Sequence, residues 1–295
     1  MSIFNLGSIN IDHVHRVAHL PGPGETVRDT GYSRGLGGKG VNQSIAAALA
    51  GARVHHIGAV GADGEWVIER LAAAGIDVGD LVVVGGATGH AVVCVDARAE
   101  NQIIIHGGAN LALTPAQIDR ALARARPGDW FLAQNETNLV AEGFAMAKAR
   151  GLKTAYAAAP FDAAAAARLA GSVDLLAVNE AEAAQLAAHL GMDAEALPVP
   201  EVLITRGARG VRCYAGGVIS EVAAFAVTPV DTTGAGDTFL GWFLAARDGG
   251  AELEAALRQA AAAAAIQVTR PGAADAIPTA AEVSAFLMER GPCGG

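Results

Sequence analysis

Short apolar runs alternate with segments of helical spacing over most of this chain. Ile3–Ile9 is an apolar run closing on small polar residues, and it reads as a buried strand. Val41–Ala50 places Ile45, Ala46 and Leu49 on one helical face, Val54–Val60 is again strand-like, and Glu65–Ala74 is helical. Further on, Trp130–Ala133, Leu152–Tyr156, Val173–Val178 and Val202–Thr205 have the character of short central strands. Helical stretches at Leu139–Arg150, Ala163–Ala170 and Ala181–Leu190 lie between them. Strand and helix in turn predict an α/β fold: a three-layer, doubly wound, mostly parallel sheet with helices on both faces. Ligands of such sheets bind in the crevice at the carboxyl ends of the strands.

Two stretches break this rhythm. His13–Ser33 and Thr88–His106 have no helical period, and the second contains β-branched runs at His90–Val95 and Gln102–Ile105. They predict extra strands that together form a small β lid over the crevice, excluding water from the chemistry beneath. No linker or internal repeat divides the chain, so residues 1–295 are expected to be one domain with this discontinuous lid, and Gly291–Gly295 a frayed tail.

Composition narrows the function. With 52% hydrophobic residues in 295 there is ample material for a core. A net charge of −9, from 21 basic and 30 acidic residues, argues against nucleic acid or an anionic membrane as partner. The N-terminal run reaches Asp12 too early for a signal peptide, and Ala260–Ile266 is too short to span a bilayer. Cys94, Cys213 and Cys293 are scattered and form no CxxC pair, which points to a reducing cytoplasmic compartment without structural zinc.

Candidate chemistry concentrates at Asp231-Thr232-Thr233-Gly234-Ala235-Gly236-Asp237, which runs into the helical pattern Thr238–Ala245. Glycines at a helix start free backbone N–H groups to converge on an anion, with the positive end of the helix dipole behind them. Asp237 then stands beside that cradle as a local base, the equipment of phosphoryl transfer. A plain glycine turn before an acidic first helical turn accounts for the same residues. Gly35-Leu36-Gly37-Gly38-Lys39-Gly40 matches GxGxxG formally, but no well-formed strand precedes it and no acidic residue stands about 20 positions on. Lys39 followed by Gly40 also excludes a Walker A loop.

Asn10 and Asp12, spaced by two on an extended segment after the first strand, would share a face suited to sugar hydroxyls; an Asx turn is the alternative. Asn179 and Glu182 fit either a capping box or a place beside Mg²⁺ and phosphate. Thr205-Arg206-Gly207-Ala208-Arg209-Gly210 fits either a turn or a nucleotide-lining loop, and His13, His15 and His19 match no metal spacing and are expected to be exposed.

Taken together, these segments resemble the ribokinase branch of the PfkB carbohydrate kinase family from Gly7 to about Leu287. The anchors are Gly7–Asp12, Gly22–Thr26, Gly37–Gln43, Gly107–Asn110, Asn179–Glu182 and Asp231–Asp237, in that order. The resemblance implies ATP-dependent phosphorylation of the 5-hydroxyl of D-ribose. It makes Asp237 the base and Gly234, Ala235 and Gly236 the anion hole. Asn10, Asp12, Gly38, Lys39, Asn42 and Glu136 become sugar ligands, with Asp237 also touching the sugar. By the same resemblance Asn179, Thr205, Gly207, Gly210 and Gly236 serve the nucleotide, and Glu182 serves Mg²⁺. Asp231, Thr233, Val268 and Gly272 fall at a K⁺ site, and pairing of lid strands implies a homodimer. Four positions depart from close relatives: Ala157, Ala261 and Ala276 replace polar residues near phosphate, adenine and K⁺, and Asn135 replaces an apolar residue beside Glu136. Alternatives are a kinase for deoxyribose, fructose or a nucleoside, or a non-catalytic sensor on the same fold.

Overall fold

The computed structural model describes residues 1–98, 100–193 and 196–291. The expected tail from Pro292 on, with Cys293, lies outside the described residues. In chain order the elements begin β1 (Ser2–Leu6), β2 (Asn10–Arg16), β3 (Gly31–Gly37), α1 (Lys39–Leu49), β4 (Arg53–Val60), α2 (Glu65–Ala73) and β5 (Asp77–Val83). There follow β6 (Gly89–Val95), β7 (Asn101–His106), α3 (Pro115–Leu122), β8 (Trp130–Gln134), α4 (Val140–Lys148), β9 (Lys153–Ala157) and α5 (Ala163–Ala170). The chain continues with β10 (Leu175–Asn179), α6 (Glu180–Leu190), β11 (Glu201–Thr205), β12 (Val211–Ala215), β13 (Val218–Val222), α7 (Ala235–Asp248), α8 (Leu253–Gln267) and α9 (Ala280–Arg290).

Nine strands form one large sheet in the order β13-β12-β11-β10-β9-β8-β1-β4-β5. It is parallel from β11 through β5, and β12 and β13 extend it as an antiparallel hairpin. Alternation along β1 shows why the sheet is sandwiched. Ile3 faces one apolar cluster with α1, α2, α7 and α8, whereas Phe4 and Leu6 face the other with α3 to α6. This is the expected three-layer architecture.

The second sheet has the order β3-β2-β6-β7, with β2 and β6 parallel and the outer pairs antiparallel. It is built from the two predicted insertions, with two corrections. The first inserted strand begins at Asn10, ahead of the expected His13, so Asn10 and Asp12 belong to β2 of this small sheet. Residues 17–30 hold no strand, so the first insertion is two strands joined by a loop. The hairpin β12–β13, strand β5 and helices α3 and α9 have no counterpart in the sequence expectations.

After β1 the chain leads outward to β4 and β5 on one side, then returns to build β8 to β11 on the other. The direction of winding therefore reverses between β1 and β8, where an open α/β sheet leaves a crevice.

Candidate active site

The carboxyl ends of β1 and β8 deliver Ser8 and Glu136 to that reversal. Ser8 Oγ donates to Glu136 Oε2 and accepts the N–H of Gly40, while the Lys39 N–H also donates to Glu136 Oε2 at 3.0 Å. Glu136 thus sits across the start of α1 with its other oxygen free of these bonds. Asp12, reaching in from β2, stands near enough to Glu136 for their charges to interact. Burial, with the Glu136 charge adding to it, pushes the Asp12 carboxyl up to about 6 from an ordinary 3.8. Asn10 is buried beside it, and its Oδ1 accepts from Asn110 Nδ2 at 2.8 Å. Asn110 also exchanges bonds with the backbone of Ile9, pinning the small sheet to the main body.

α7 closes the other side of the crevice. Gly234 caps it with φ of 76°, a left-handed conformation that a residue with a Cβ adopts at a cost. No side chain caps this end. The Ala235 N–H, expected in the anion hole, donates to Thr232 O at 3.3 Å, whereas those of Gly236 and Asp237 find no backbone acceptor among the described residues, as in a first helical turn. Open donors of this kind, with the helix dipole behind them, suit an anion.

α7 comes unusually close to α1, because a Cβ on Gly241 would lie 2.6 Å from both Ala46 Cβ and Gln43 O. That approach brings Asp237 onto α1: Asn42 Nδ2 donates to its Oδ2 at 3.2 Å and Gln43 Nε2 to its Oδ1 at 2.8 Å. Removal from water raises the Asp237 pKa. The Lys39 charge and the two amide bonds pull it back, and Glu136 opposes them. The outcome is a carboxylate with raised basicity, held in one orientation, next to a lysine and a set of open N–H donors. Such a group can take a proton from a hydroxyl while the donors stabilise charge on an anion.

From Asp237 and Lys39 a cleft runs along the strand ends past Ala157, Asn179, Glu182 and Thr205. Thr232, Gly234, Ala235 and Gly236 line the same cleft. Asn179 and Glu182 do form a capping box, Asn179 Oδ1 accepting from the Glu182 N–H at 2.9 Å and Glu182 Oε2 from the Asn179 N–H at 2.8 Å. Glu182 Oε1 takes no part in the box, and Glu182 lines the cleft. Gly207 and Gly210 lie in the turn beyond β11 and do not line the cleft. A Cβ on Gly210 would lie 2.1 Å from Val222 O, so the turn itself calls for glycine there.

Asp231, Thr233, Val268 and Gly272 are brought together behind α7. Asp231 accepts from the N–H groups of Thr233 at 2.9 Å and Gly272 at 3.0 Å. The Val268 carbonyl accepts from Val230 and Asp231, which occupies both of its lone pairs. One further expectation is corrected. β3 runs through Gly35–Gly37 into α1, so a strand does precede the glycine-rich loop, though it belongs to the small sheet. Asn135, which departs from close relatives beside Glu136, accepts from Tyr156 Oη at 2.6 Å and donates to Pro160 O at 3.0 Å.

Ser8, Gln43 and Asn110 touch the site and are absent from the sequence-derived set. Gln43 carries a readable signal, since it lies one helical turn beyond Lys39 on the same face. The described His, Cys, Asp and Glu residues contain no group of three placed to hold a metal, and His19 is exposed as expected, while His13 and His15 are half-buried on β2.

Comparison with known proteins places the chain in one family. The description of the pfkB family carbohydrate kinases matches residues 2–280. The ribokinase of Haemophilus influenzae is 36% identical over 297 residues, covering 96% of this chain and 97% of that protein. The ribokinase of Cryptococcus neoformans var. grubii, solved in complex with ADP, superposes with a TM-score of 0.84 at 33% identity, covering 97% of this chain and 99% of its own. The Arabidopsis thaliana ribokinase, solved with ribose and ATP, gives a TM-score of 0.85 at 28% identity, covering 97% of this chain and 98% of its own.

Proposed function

The chain belongs to the pfkB family of carbohydrate kinases and is an ATP-dependent sugar kinase, and we propose that its acceptor is the 5-hydroxyl of D-ribose. The observation that carries this reading is the pairing of Asp237 with the open N–H donors of α7 on one side of the crevice, opposite the Asp12–Glu136 carboxylates. A hydroxyl placed between them can lose its proton to Asp237 as phosphorus is attacked. Gly236 and Asp237 N–H groups then meet the charge developing on the transferred group, with Lys39 adding a positive charge.

The sugar half of the crevice is the polar set Asn10, Asp12, Gly38, Lys39, Asn42 and Glu136. Asn42 Oδ1 is buried with no partner among the described residues, which supports it as an acceptor for a sugar hydroxyl. The nucleotide would lie along the cleft past Asn179 and Thr205, and Gly207 and Gly210 would act there only by shaping the turn. Magnesium would be held mainly by phosphates, with Glu182 beside it, because a protein needs only one or two carboxylates for this ion in kinases. When bound, it neutralises phosphate charge.

We further propose a K⁺ site behind the anion hole, with Asp231 and Thr233 as the ligands present. The Val268 carbonyl is already taken by two N–H groups, and Ala276 offers no hydroxyl, so K⁺ is expected to stimulate turnover without being required. The small sheet would act as a lid on a single-domain enzyme, and its edge strand β7, with Ile103, Ile104 and Ile105 exposed, would join two subunits. Among the described residues no helix is long and apolar enough to cross a membrane. Free Cys94 and Cys213 accord with a cytoplasmic enzyme.

ADP release from ATP with Mg²⁺ tests the reading, over D-ribose, 2-deoxy-D-ribose, fructose and adenosine, with and without K⁺. Preference for D-ribose is the expected result. Turnover with another acceptor alone would move the substrate assignment, and sugar-induced stabilisation without ADP release would favour a sensor.

A further inference from the structure

Beneath the catalytic face of α1 lies a run of buried polar side chains that the phosphoryl transfer does not itself use. Asn5 on β1, Gln43 and Ser44 on α1, His56 on β4 and Gln134 on β8 are each at most 1% exposed. Their polar atoms must therefore be matched inside the protein. They join into one chain: His56 Nε2 meets Gly7 O at 3.1 Å, and Ser44 Oγ meets His56 Nδ1 at 2.8 Å. Asn5 Nδ2 donates to Ser44 Oγ and to Gly40 O, both at 2.8 Å. Gln134 Nε2 donates to Asn5 Oδ1 at 2.9 Å and to Gln43 Oε1 at 2.7 Å, and Gln43 Nε2 donates to Asp237 Oδ1.

The direction of every bond is forced. A backbone carbonyl can only accept, so Gly40 O requires the nitrogen of Asn5 and turns Asn5 Oδ1 toward Gln134. Gln134 must then donate, and its nitrogen sits between two oxygens. Reversing the Gln43 amide would set two NH₂ groups against each other at 2.7 Å and turn an oxygen toward the Asp237 carboxylate. Gln134 Oε1, meanwhile, is buried with no partner among the described residues. An apolar side chain would leave no such orphan, so packing alone does not account for glutamine at this position.

We infer that Gln43 is a positioning residue for Asp237, and that its amide is held the right way round from the central sheet, through Gln134 and Asn5, by the carbonyl of Gly40. The inference rests on the reading of Asp237 as the group that accepts the hydroxyl proton. It assigns to β1 and β8 a task beyond scaffolding: they keep a donor turned toward Asp237 Oδ1, so that Oδ2, which also accepts from Asn42, is the oxygen that addresses the sugar. His56 completes the chain as a neutral ring, since burial pushes its pKa down to about 4.

The test is kcat and KM for ATP and D-ribose as functions of pH, in the wild type, Gln43→Leu, Gln134→Leu and the double variant. The charged groups acting on Asp237 are Lys39 and Glu136, and all four proteins retain both. Gln43→Leu should lower kcat about 10- to 100-fold, the range for a hydrogen bond to a charged group, with the KM for ATP little changed. Its acid limb should move to higher pH, because that bond favours the ionised carboxylate. Gln134→Leu should move both quantities in the same directions by less. Added to Gln43→Leu it should change kcat no further, because its action passes through the Gln43 amide. Losses that add in the double variant, or acid limbs that stay in place, would overturn the inference. Methionine at the same positions serves if a leucine variant does not fold. A wild type without turnover would instead count against the kinase reading, so the two failures are distinguishable.

Discussion

Asp12 offers a test in which function and stability pull apart. Burial and the neighbouring Glu136 charge hold its carboxyl near 6 in the folded chain, against an ordinary 3.8. A raised folded pKa means that the protonated form suits the fold. The associated stability is fully present below pH 3.8 and is lost as pH rises through about 6. The gap corresponds to about 3 kcal/mol at full effect, and water reaching a half-buried group in an open crevice reduces this to about 1–3 kcal/mol. Asp12→Asn removes the ionisation without changing the shape. The stability of the variant relative to wild type should therefore improve by about 1–3 kcal/mol between pH 4 and pH 7.5. Urea unfolding of both proteins at the two pH values measures it. The same substitution should raise the KM for D-ribose while leaving the KM for ATP nearly unchanged, because Asp12 lies on the sugar side of Asp237. A stability difference that does not change with pH would refute the claim that this carboxylate is buried at a cost, and an unchanged sugar KM would refute its placement in the sugar site.

Lys39→Met should move the acid limb of kcat/KM to higher pH, since burial already raises the Asp237 pKa and the Lys39 charge opposes that rise; a pH–rate profile checks it. Gly241→Ala should cost about 1–3 kcal/mol in urea unfolding and also lower kcat, because its Cβ would push α7 off α1 and part Asp237 from Asn42 and Gln43. Ile104→Asp, at the most exposed isoleucine of β7, should shift the light-scattering mass from the proposed dimer to monomer, and an unchanged mass would remove β7 from the interface.

Much of the fold was legible because strands buried on both faces are continuous apolar runs, as at Trp130–Ala133 and Val202–Ile204. The edges were harder to read. β13 carries Val218, Ile219 and Val222 between polar residues and β5 begins Asp-Val-Gly-Asp, so neither shows the strong pattern of a central strand. The site was legible where backbone chemistry left a mark, as in the glycines before Asp237. What stayed hidden was pairing across the fold. Nothing near Gln134 in the chain says that it meets Gln43, 91 residues away, or that Ser8 meets Glu136, 128 residues away. Asn10 and Asp12 lie on an extended segment after β1, as expected, but on a strand of the small sheet. An extended segment reads the same whether it continues β1 or opens a second sheet.

The most direct test of the central claim compares ADP release by wild type and Asp237→Asn with ATP, Mg²⁺ and D-ribose, alongside calorimetric binding of sugar and nucleotide to both. The account predicts turnover by the wild type and a loss of roughly 10²- to 10⁴-fold in the variant, with binding largely retained. Normal turnover by Asp237→Asn, or a wild type that binds D-ribose and ATP without releasing ADP, would contradict it.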